Sequence, residues 1–465
     1  MLDTIGAYIT TIADAVCGYP LFIALICGGV WLFLYSGAVS LRRLPAALRE
    51  LKHSRSGSSR KGEISSIQAL ASVVAATIGM GNIAGVTIAI AMGGPGAVFW
   101  MWVSALVGMC TKYHEGVLAI MYRGKNGNGE PQGGTMHIIH HGLSPKWRPM
   151  ADFFALAGMF GTLCIMNSNQ LAEAAATTAI GIGVADDMFV AKFIAGVIMA
   201  LIVGLVVLGG IKRIANVASV MVPFMVGCYF LMVLYIIITH LDQVGEVFHN
   251  IFTQAFNIEA GWGALAGVAM IGARRAALVN DAGIGTASIM HGKSANNEPV
   301  REGLVAMLGP AIDSGFVCTL TAVAVLLCVP EGILGGSDIK GLEVALAAFG
   351  NGIPGGEFML TAIVACFALS SMFSYSFYGQ RCAAYLMGET AAKYYTYIYI
   401  ATLVLFAIVP LQAAVGLCDL FYALMAFPTM LTLILLAPKV KEATQRYFSF
   451  RKPSTDPAQT SASLS

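Results

Sequence analysis

Thr77-Ile78-Gly79-Met80-Gly81-Asn82-Ile83-Ala84-Gly85 stands near the middle of one apolar run, and Asn280-Asp281-Ala282-Gly283-Ile284-Gly285-Thr286 stands in another, five runs further on. Glycine weakens a helix, and Asn and Asp compete for backbone hydrogen bonds, so both stretches are expected to unwind. Both runs are long enough to cross a bilayer. Non-helical backbone at membrane depth persists only where protein buries it or where it lines a cavity, so the two breaks mark a site. Gly-interrupted spans at corresponding places in two five-helix halves are the pattern of an inverted-repeat secondary transporter.

The composition places the chain in a membrane. Of its 465 residues 57% are hydrophobic and 11% are charged, where a soluble domain carries roughly 25% charged. Hydropathy gives eleven candidate spans, at 19–41, 66–93, 96–122, 150–180, 189–210, 213–239, 263–292, 301–329, 357–387, 393–410 and 414–437. Between the first two spans lie Arg42, Arg43, Arg49, Lys52, Arg55, Arg60 and Lys61, and the positive-inside rule puts that loop in the cytoplasm and the N-terminus outside. Alternation then leaves 21 of the 27 Lys and Arg residues inside, with Lys192 and Lys340 outside. The expected organisation is an extra helix and basic loop (1–61), a first five-helix repeat (62–240), a second (241–438) and a cytoplasmic tail (439–465). Asp3 and Asp14 precede the first apolar run, so no secretory signal is expected. A net charge of +2 sorted by loop gives no patch for nucleic acid. The cysteines form no CxxC pair and read as small buried hydrophobes.

Gly79-Met80-Gly81-Asn82-Ile83-Ala84 also fits the dinucleotide pattern G-x-G-x-x-A, but that fingerprint needs a preceding strand and an acidic residue about 20 positions on. Close helix packing would explain the glycines, yet not the polar Thr77 and Asn82 beside them. At an unwound segment, freed carbonyls and half-helix ends offer partial charges. These suit an amino-acid zwitterion, its carboxylate at a half-helix N-terminus and its ammonium at exposed carbonyls. Thr77, Gly79, Gly81, Asn280 and Gly283 are the candidate substrate contacts at the breaks. A sodium ion fits beside them because hard cations take oxygen ligands, with Asn82 supplying an amide oxygen and Thr77 a carbonyl or hydroxyl. Asp313, close to Thr319 and Thr321, is a further cation candidate.

Other polar groups inside spans carry two readings each. The hydroxyls of Ser370-Ser371-Met372-Phe373-Ser374-Tyr375 either bond the carbonyl four residues back or face a site. Asn167, Asn169 and Gln170 line a cavity or bridge helices. Lys112 and Glu115 have the spacing of an i,i+3 ion pair. Arg274 and Arg275, before the second break, anchor an outer gate or pair with an acid. His137, His140 and His141 form one polar face of a cytoplasmic helix, with no Cys or carboxylate cluster to complete a metal set. Two other classes stay open: a membrane-embedded enzyme would want catalytic groups converging within the spans, where His is nearly absent, and a channel would want pore rings or a selectivity filter, whereas two broken helices in one chain favour a single occluded site.

The chain resembles the alanine/glycine:cation symporter family of sodium-coupled amino-acid carriers. The likeness runs from Gly62-Glu63-Ile64-Ser65-Ser66-Ile67-Gln68-Ala69-Leu70 through Gly81-Asn82-Ile83-Ala84-Gly85-Val86, Gly93-Gly94-Pro95-Gly96-Ala97-Val98-Phe99-Trp100-Met101-Trp102, Thr111-Lys112-Tyr113 and Gly209-Gly210-Ile211-Lys212-Arg213-Ile214 to Gly303-Leu304-Val305-Ala306-Met307-Leu308-Gly309. It implies the leucine-transporter type of fold, an all-α polytopic membrane protein with a five-plus-five inverted repeat after one extra helix. It also implies sodium-coupled symport of a small neutral amino acid, alanine or glycine first and glutamine as the alternative, into the cell by alternating access. The cell membrane is the expected location, with the C-terminus cytoplasmic. Amino acid, sodium ion and lipid are the expected partners, with no enzymatic cofactor. By the same resemblance, carbonyls of Ala75 and Ile78 with the hydroxyls of Ser370 and Ser371 form one sodium site. Asn82 with the Thr77 carbonyl belongs to a second, and Gln170 contacts substrate. The chain departs from the family pattern at Met80, where Thr is usual, at Val279-Asn280-Asp281, where Ser-Asn-Glu is usual, at Ser370-Ser371, where Thr is paired, and at Phe373-Ser374, where Gly-Trp stands.

Overall fold

The computed structural model describes residues 16, 19–53, 63–126, 129–256, 262–329 and 341–450. Arg55, Arg60, Lys61, Lys340 and the tail from 451 lie outside the described residues. Among the described residues the architecture is helical, apart from a short antiparallel ribbon, β1 (Gly124–Lys125) with β2 (Pro131–Gln132).

Helix α1 spans Tyr19–Tyr35. Gly37 and Ala38 follow with φ of +67° and +55° and turn the chain into the surface helix α2 (Leu44–His53). The first broken pair is α3 (Ser66–Thr77) and α4 (Gly81–Gly93), bent by 59°. Then come α5 (Gly96–Met121), α6 (Thr135–Gly142), α7 (Arg148–Gly161), α8 (Ile165–Gly181), α9 (Met188–Val207), α10 (Gly210–Thr239) and α11 (Leu241–Ala255). The second broken pair is α12 (Trp262–Val279) and α13 (Thr286–His291). It is followed by α14 (Pro299–Cys328), α15 (Gly341–Gly352), α16 (Gly356–Ala407) and α17 (Leu411–Phe450).

Among the described residues six helices are long and apolar enough to cross a membrane, and the bent α3–α4 pair makes a seventh. The eleven predicted intervals differ from this number for local reasons. Gly388, with φ of 87° and ψ of 171°, interrupts α16 and divides two predicted spans. Lys112, His114 and Glu115 dilute the apolar character of α5. The α1 helix is short, and α12 and α13 are separated by their break. Large apolar side chains on α9 and α10 face outward, Leu205 and Val220 each 73% exposed. A continuous apolar exterior of this kind is what lipid, and not water, stabilises.

Helices approach closely where small residues meet, because lipid tails give no hydrophobic drive between helices and packing must supply it. Where α5 crosses α14, a Cβ on Gly303 would run into Val117 and Tyr113, and one on Gly116 would meet Ala306. The start of α3 is fixed twice. Ser65 and Gln68 form a capping box, and Ile64 exchanges backbone hydrogen bonds with the segment after α13, at 3.1 Å from its N–H to the Lys293 carbonyl and 2.8 Å from the Ala295 N–H to its own carbonyl.

Candidate functional site

Both stretches of Gly, Asn and Asp unwind. At the first, Ile78 leaves the helix with φ of −70° and ψ of 98°, and Asn82 folds back so that its Oδ1 accepts the Gly79 N–H at 2.9 Å. The side chain thus replaces a lost helical partner. At the second, Asp281, Gly283 and Gly285 take φ of 52°, 86° and 94°. Two glycines and an Asp tolerate this left-handed backbone where a branched residue would not.

Between the breaks lies a cavity of about 150 Å³. Thr77, Gly79, Gly81 and Met80 line it from the first break, Asp281 from the second and Gln170 from α8. Cys164, with φ of 52°, bends the chain between α7 and α8 and turns Asn167 and Gln170 toward this space. The Gln170 Oε1 is buried and has no hydrogen-bond partner, so it is available to a ligand. Asn169 instead bridges helices, donating to the carbonyls of Phe406 at 3.0 Å and Val409 at 2.5 Å. Arg275 and Asp419 close one end of the cavity with opposite charges.

Two clusters of oxygen atoms adjoin the first break. In one, Ser370 Oγ and Ser371 Oγ both donate to the Ala75 carbonyl, at 3.0 and 3.2 Å. Each also reaches the Phe367 carbonyl, at 2.9 and 3.1 Å. Both readings of these serines therefore describe real contacts: they satisfy themselves locally and they converge on α3. Gly79 packs against Ser371, where a Cβ would come within 3.0 Å of its hydroxyl. Ile78, buried at the C-cap of α3, lies at the same break. Because Phe367 remains a helical carbonyl without them, the double change Ser370→Ala with Ser371→Ala is expected to leave protein yield normal. With both hydroxyls as sodium ligands, as the resemblance implies, losing them at about 1 kcal/mol each should raise the sodium concentration for half-maximal uptake by roughly thirtyfold. Unchanged sodium dependence would return the serines to a packing role.

In the other cluster, Asn82 Nδ2 donates to Asp313 Oδ1 in a short contact, and the Thr77 side chain stands beside the same carboxylate. Asp313 belongs to a π-helical turn, Ala311–Val317, and faces another, Gly81–Gly85. Such turns re-aim side chains and gather at functional sites. The second oxygen, Asp313 Oδ2, is buried without a partner.

At the second break the neighbours of the cavity differ from the expected ones. Asn280 turns away, its Oδ1 accepting the Ala282 N–H at 3.0 Å, and lines a separate small pocket with Ser104 and Gly108. The Gly283 N–H donates to Glu115 Oε1 at 2.7 Å. These two residues hold the shape of the break, and Asp281 is the one that faces the cavity. Its Oδ2 accepts the Tyr375 hydroxyl in a short contact and the Thr286 hydroxyl at 3.3 Å, and Tyr422 donates in turn to Tyr375 at 2.8 Å. Lys112 makes no contact ion pair with Glu115, and its ammonium is buried without a hydrogen-bond partner. The i,i+3 spacing brings no direct contact: the Gly283 N–H engages only Oε1, and Glu115 Oε2 and the Lys112 ammonium are both left without a hydrogen-bond partner. Tyr375 was legible as one turn beyond Ser371 on the same helix face; the inward turn of Asp281 was not.

The three histidines lie on α6, where His140 Nδ1 meets the Tyr385 hydroxyl at 3.0 Å. Burial, then His141 and His140, push His137 down to about 4, so it is neutral at physiological pH. Among the described residues no group of three His, Cys, Asp or Glu is placed to hold a metal ion.

The sodium:alanine symporter family profile matches residues 2–461. The sodium/alanine symporter AgcS of Methanococcus maripaludis is 34% identical over 450 residues, covering 96% of this chain and 97% of its own. The probable sodium/glutamine symporter GlnT of Bacillus subtilis is 28% identical, covering 94% of this chain and 89% of its own. Among solved structures, that of MhsT in complex with L-phenylalanine superposes with a TM-score of 0.56 at 13% identity, covering 81% of this chain and 97% of that one. At that identity the likeness speaks for the fold alone, which is of the leucine-transporter type.

Proposed function

We propose, from the premise that this chain belongs to the sodium:alanine symporter family, that it carries a small neutral amino acid into the cell together with sodium by alternating access. The protein is a multi-pass membrane transporter, not an enzyme. Eleven spans, arranged as an extra α1 and two inverted five-helix repeats, account for its helices and for the basic loops on one side. The N-terminus is then outside and the C-terminus cytoplasmic.

One observation carries the reading. The cavity lies between two unwound segments, with two oxygen clusters directly behind the first of them. The substrate sits against Thr77, Gly79, Gly81 and Gln170, with Asp281 taking the place that Asn280 and Gly283 were expected to fill and receiving the ammonium. One sodium ion is held by Ala75, Ile78, Ser370 and Ser371, and another by Thr77, Asn82 and Asp313. A space of about 150 Å³, at the 10–15 Å³ a water molecule needs, holds about ten water-sized groups. Alanine or glycine fits with room to spare and glutamine would fill it, so alanine or glycine is the first expectation and glutamine the second.

Uptake of a labelled amino-acid panel into proteoliposomes tests this. Alanine or glycine uptake should accumulate severalfold over equilibrium under an inward sodium gradient and fall to the equilibrium level without one. Uptake that ignores sodium and follows an imposed pH gradient would overturn sodium coupling. Sodium-driven uptake of glutamine in preference to alanine would move the substrate to the second expectation.

A further inference from the structure

A second and larger cavity, about 760 Å³, opens where α1, the turn after it and α17 meet. It belongs to neither break. Tyr35, Arg42, Arg43, Lys441, Thr444 and Phe448 are among its walls. Three cations thus face one space. Arg301 and Arg381, by contrast, have acidic partners, Glu50 at 2.8 Å and Glu389 at 3.1 Å. Among the described residues no carboxylate forms an ion pair with Arg42, Arg43 or Lys441.

Aromatic rings hold two of these cations in place. The Arg43 guanidinium lies 3.7 Å from the centre of the Phe448 ring, and the Lys441 ammonium 4.6 Å from that of Tyr35. A ring face orients a cation without neutralising it, so the positive charge remains for a ligand. The third comes from the turn at Gly37 and Ala38, which brings Arg42 back over Gly37. The flank is apolar and outward-facing, with Trp31 40% and Leu34 70% exposed.

We propose that this cavity binds the headgroup of an anionic phospholipid. Arg42, Arg43 and Lys441 hold the phosphate, and the acyl chains run along Trp31 and Leu34. The volume far exceeds a free phosphate, and the union of basic pocket and apolar flank matches an amphipathic ligand. Basic pockets between spans on the cytoplasmic side are where such headgroups dock. Bound lipid would clamp α1, which lies outside both repeats, to α17.

The test is thermal unfolding of the purified full-length protein in neutral detergent, titrated with phosphatidylglycerol, phosphatidylcholine or inorganic phosphate. Phosphatidylglycerol should raise the melting temperature by several degrees, and the other two should not at the same concentration. At roughly a factor of five per cation, Arg42→Gln with Arg43→Gln and Lys441→Gln should raise the half-maximal phosphatidylglycerol concentration about a hundredfold. Lys441→Gln alone, at an exposed position that folding does not need, should raise it about fivefold. Lys146→Gln with Arg148→Gln, basic but outside the cavity, should leave it unchanged. An equal effect of phosphatidylcholine, stabilisation by inorganic phosphate alone, an unmoved Lys441→Gln response, or an equal loss in the Lys146 and Arg148 variant would each overturn the assignment.

Discussion

An Asn82→Leu variant is expected to lose sodium-coupled uptake altogether while still entering the membrane. The amide of Asn82 is shared between two buried groups, accepting the Gly79 N–H at 2.9 Å and donating to Asp313. Leucine has nearly the same volume and favours the bilayer, so insertion and gross packing survive. It leaves two polar groups unpaired, each at a cost of about 1–3 kcal/mol. That loss falls on a segment whose backbone has left the helix, so the geometry of the break relaxes. On the proposed assignment the ion also loses an oxygen that water cannot replace inside a closed site. Coupling needs substrate and ion to stabilise the same closed state, and without the ion-bound state there is nothing to couple. Membrane yield should stay within about twofold of the parent, while sodium no longer raises apparent affinity for the amino acid in detergent. Retained sodium-enhanced binding would make Asn82 a packing residue only.

The breaks were readable from the sequence because their chemistry is out of place. Nothing about crossing a membrane calls for Asn82 between glycines or for Asn280-Asp281 just before two of them, so the residue types alone locate unwound backbone. Which way each side chain turns was not readable. Asn280 and Asp281 are neighbours of similar size, and the choice between them goes with φ of 52° at Asp281 and with its contacts to Thr286 at the start of α13 and to Tyr375 from a distant helix. The pairing expected of Lys112 and Glu115 failed for a similar reason. Helical spacing brings two side chains onto one face, but Glu115 turns one oxygen to a backbone N–H of the second break, and its other oxygen and the Lys112 ammonium do not meet. The role of Ser370 and Ser371 could not be decided from composition, since local and distant acceptors both exist for the same hydroxyls. The resemblance favoured the distant one. Hydropathy located helix in each predicted interval, although several of those helices are too short, too polar or too broken to announce a span alone.

Asp313 decides whether the second oxygen cluster holds an ion. It is fully buried, one oxygen engaged by Asn82 and the other without a partner. A carboxylate placed so is costly unless a cation joins it. Asp313→Asn keeps the shape and can still bond Asn82 after an amide flip, but it removes the formal charge. Two readouts should therefore move in opposite directions. In sodium-free buffer the variant should melt at the same temperature or higher, because an uncompensated buried charge is gone. Added sodium, which stabilises the parent by binding only the folded state, should no longer raise the melting temperature of the variant. Losing a charged ligand worth about 1.5–3 kcal/mol raises the sodium concentration for half-maximal uptake by ten- to about 150-fold. A residue needed only for packing would lower both melting temperatures together and leave the sodium increment intact. If sodium still stabilises the Asp313→Asn variant by the parental amount while uptake loses its response to an imposed pH gradient, Asp313 handles a proton, and the second sodium site must be built without it.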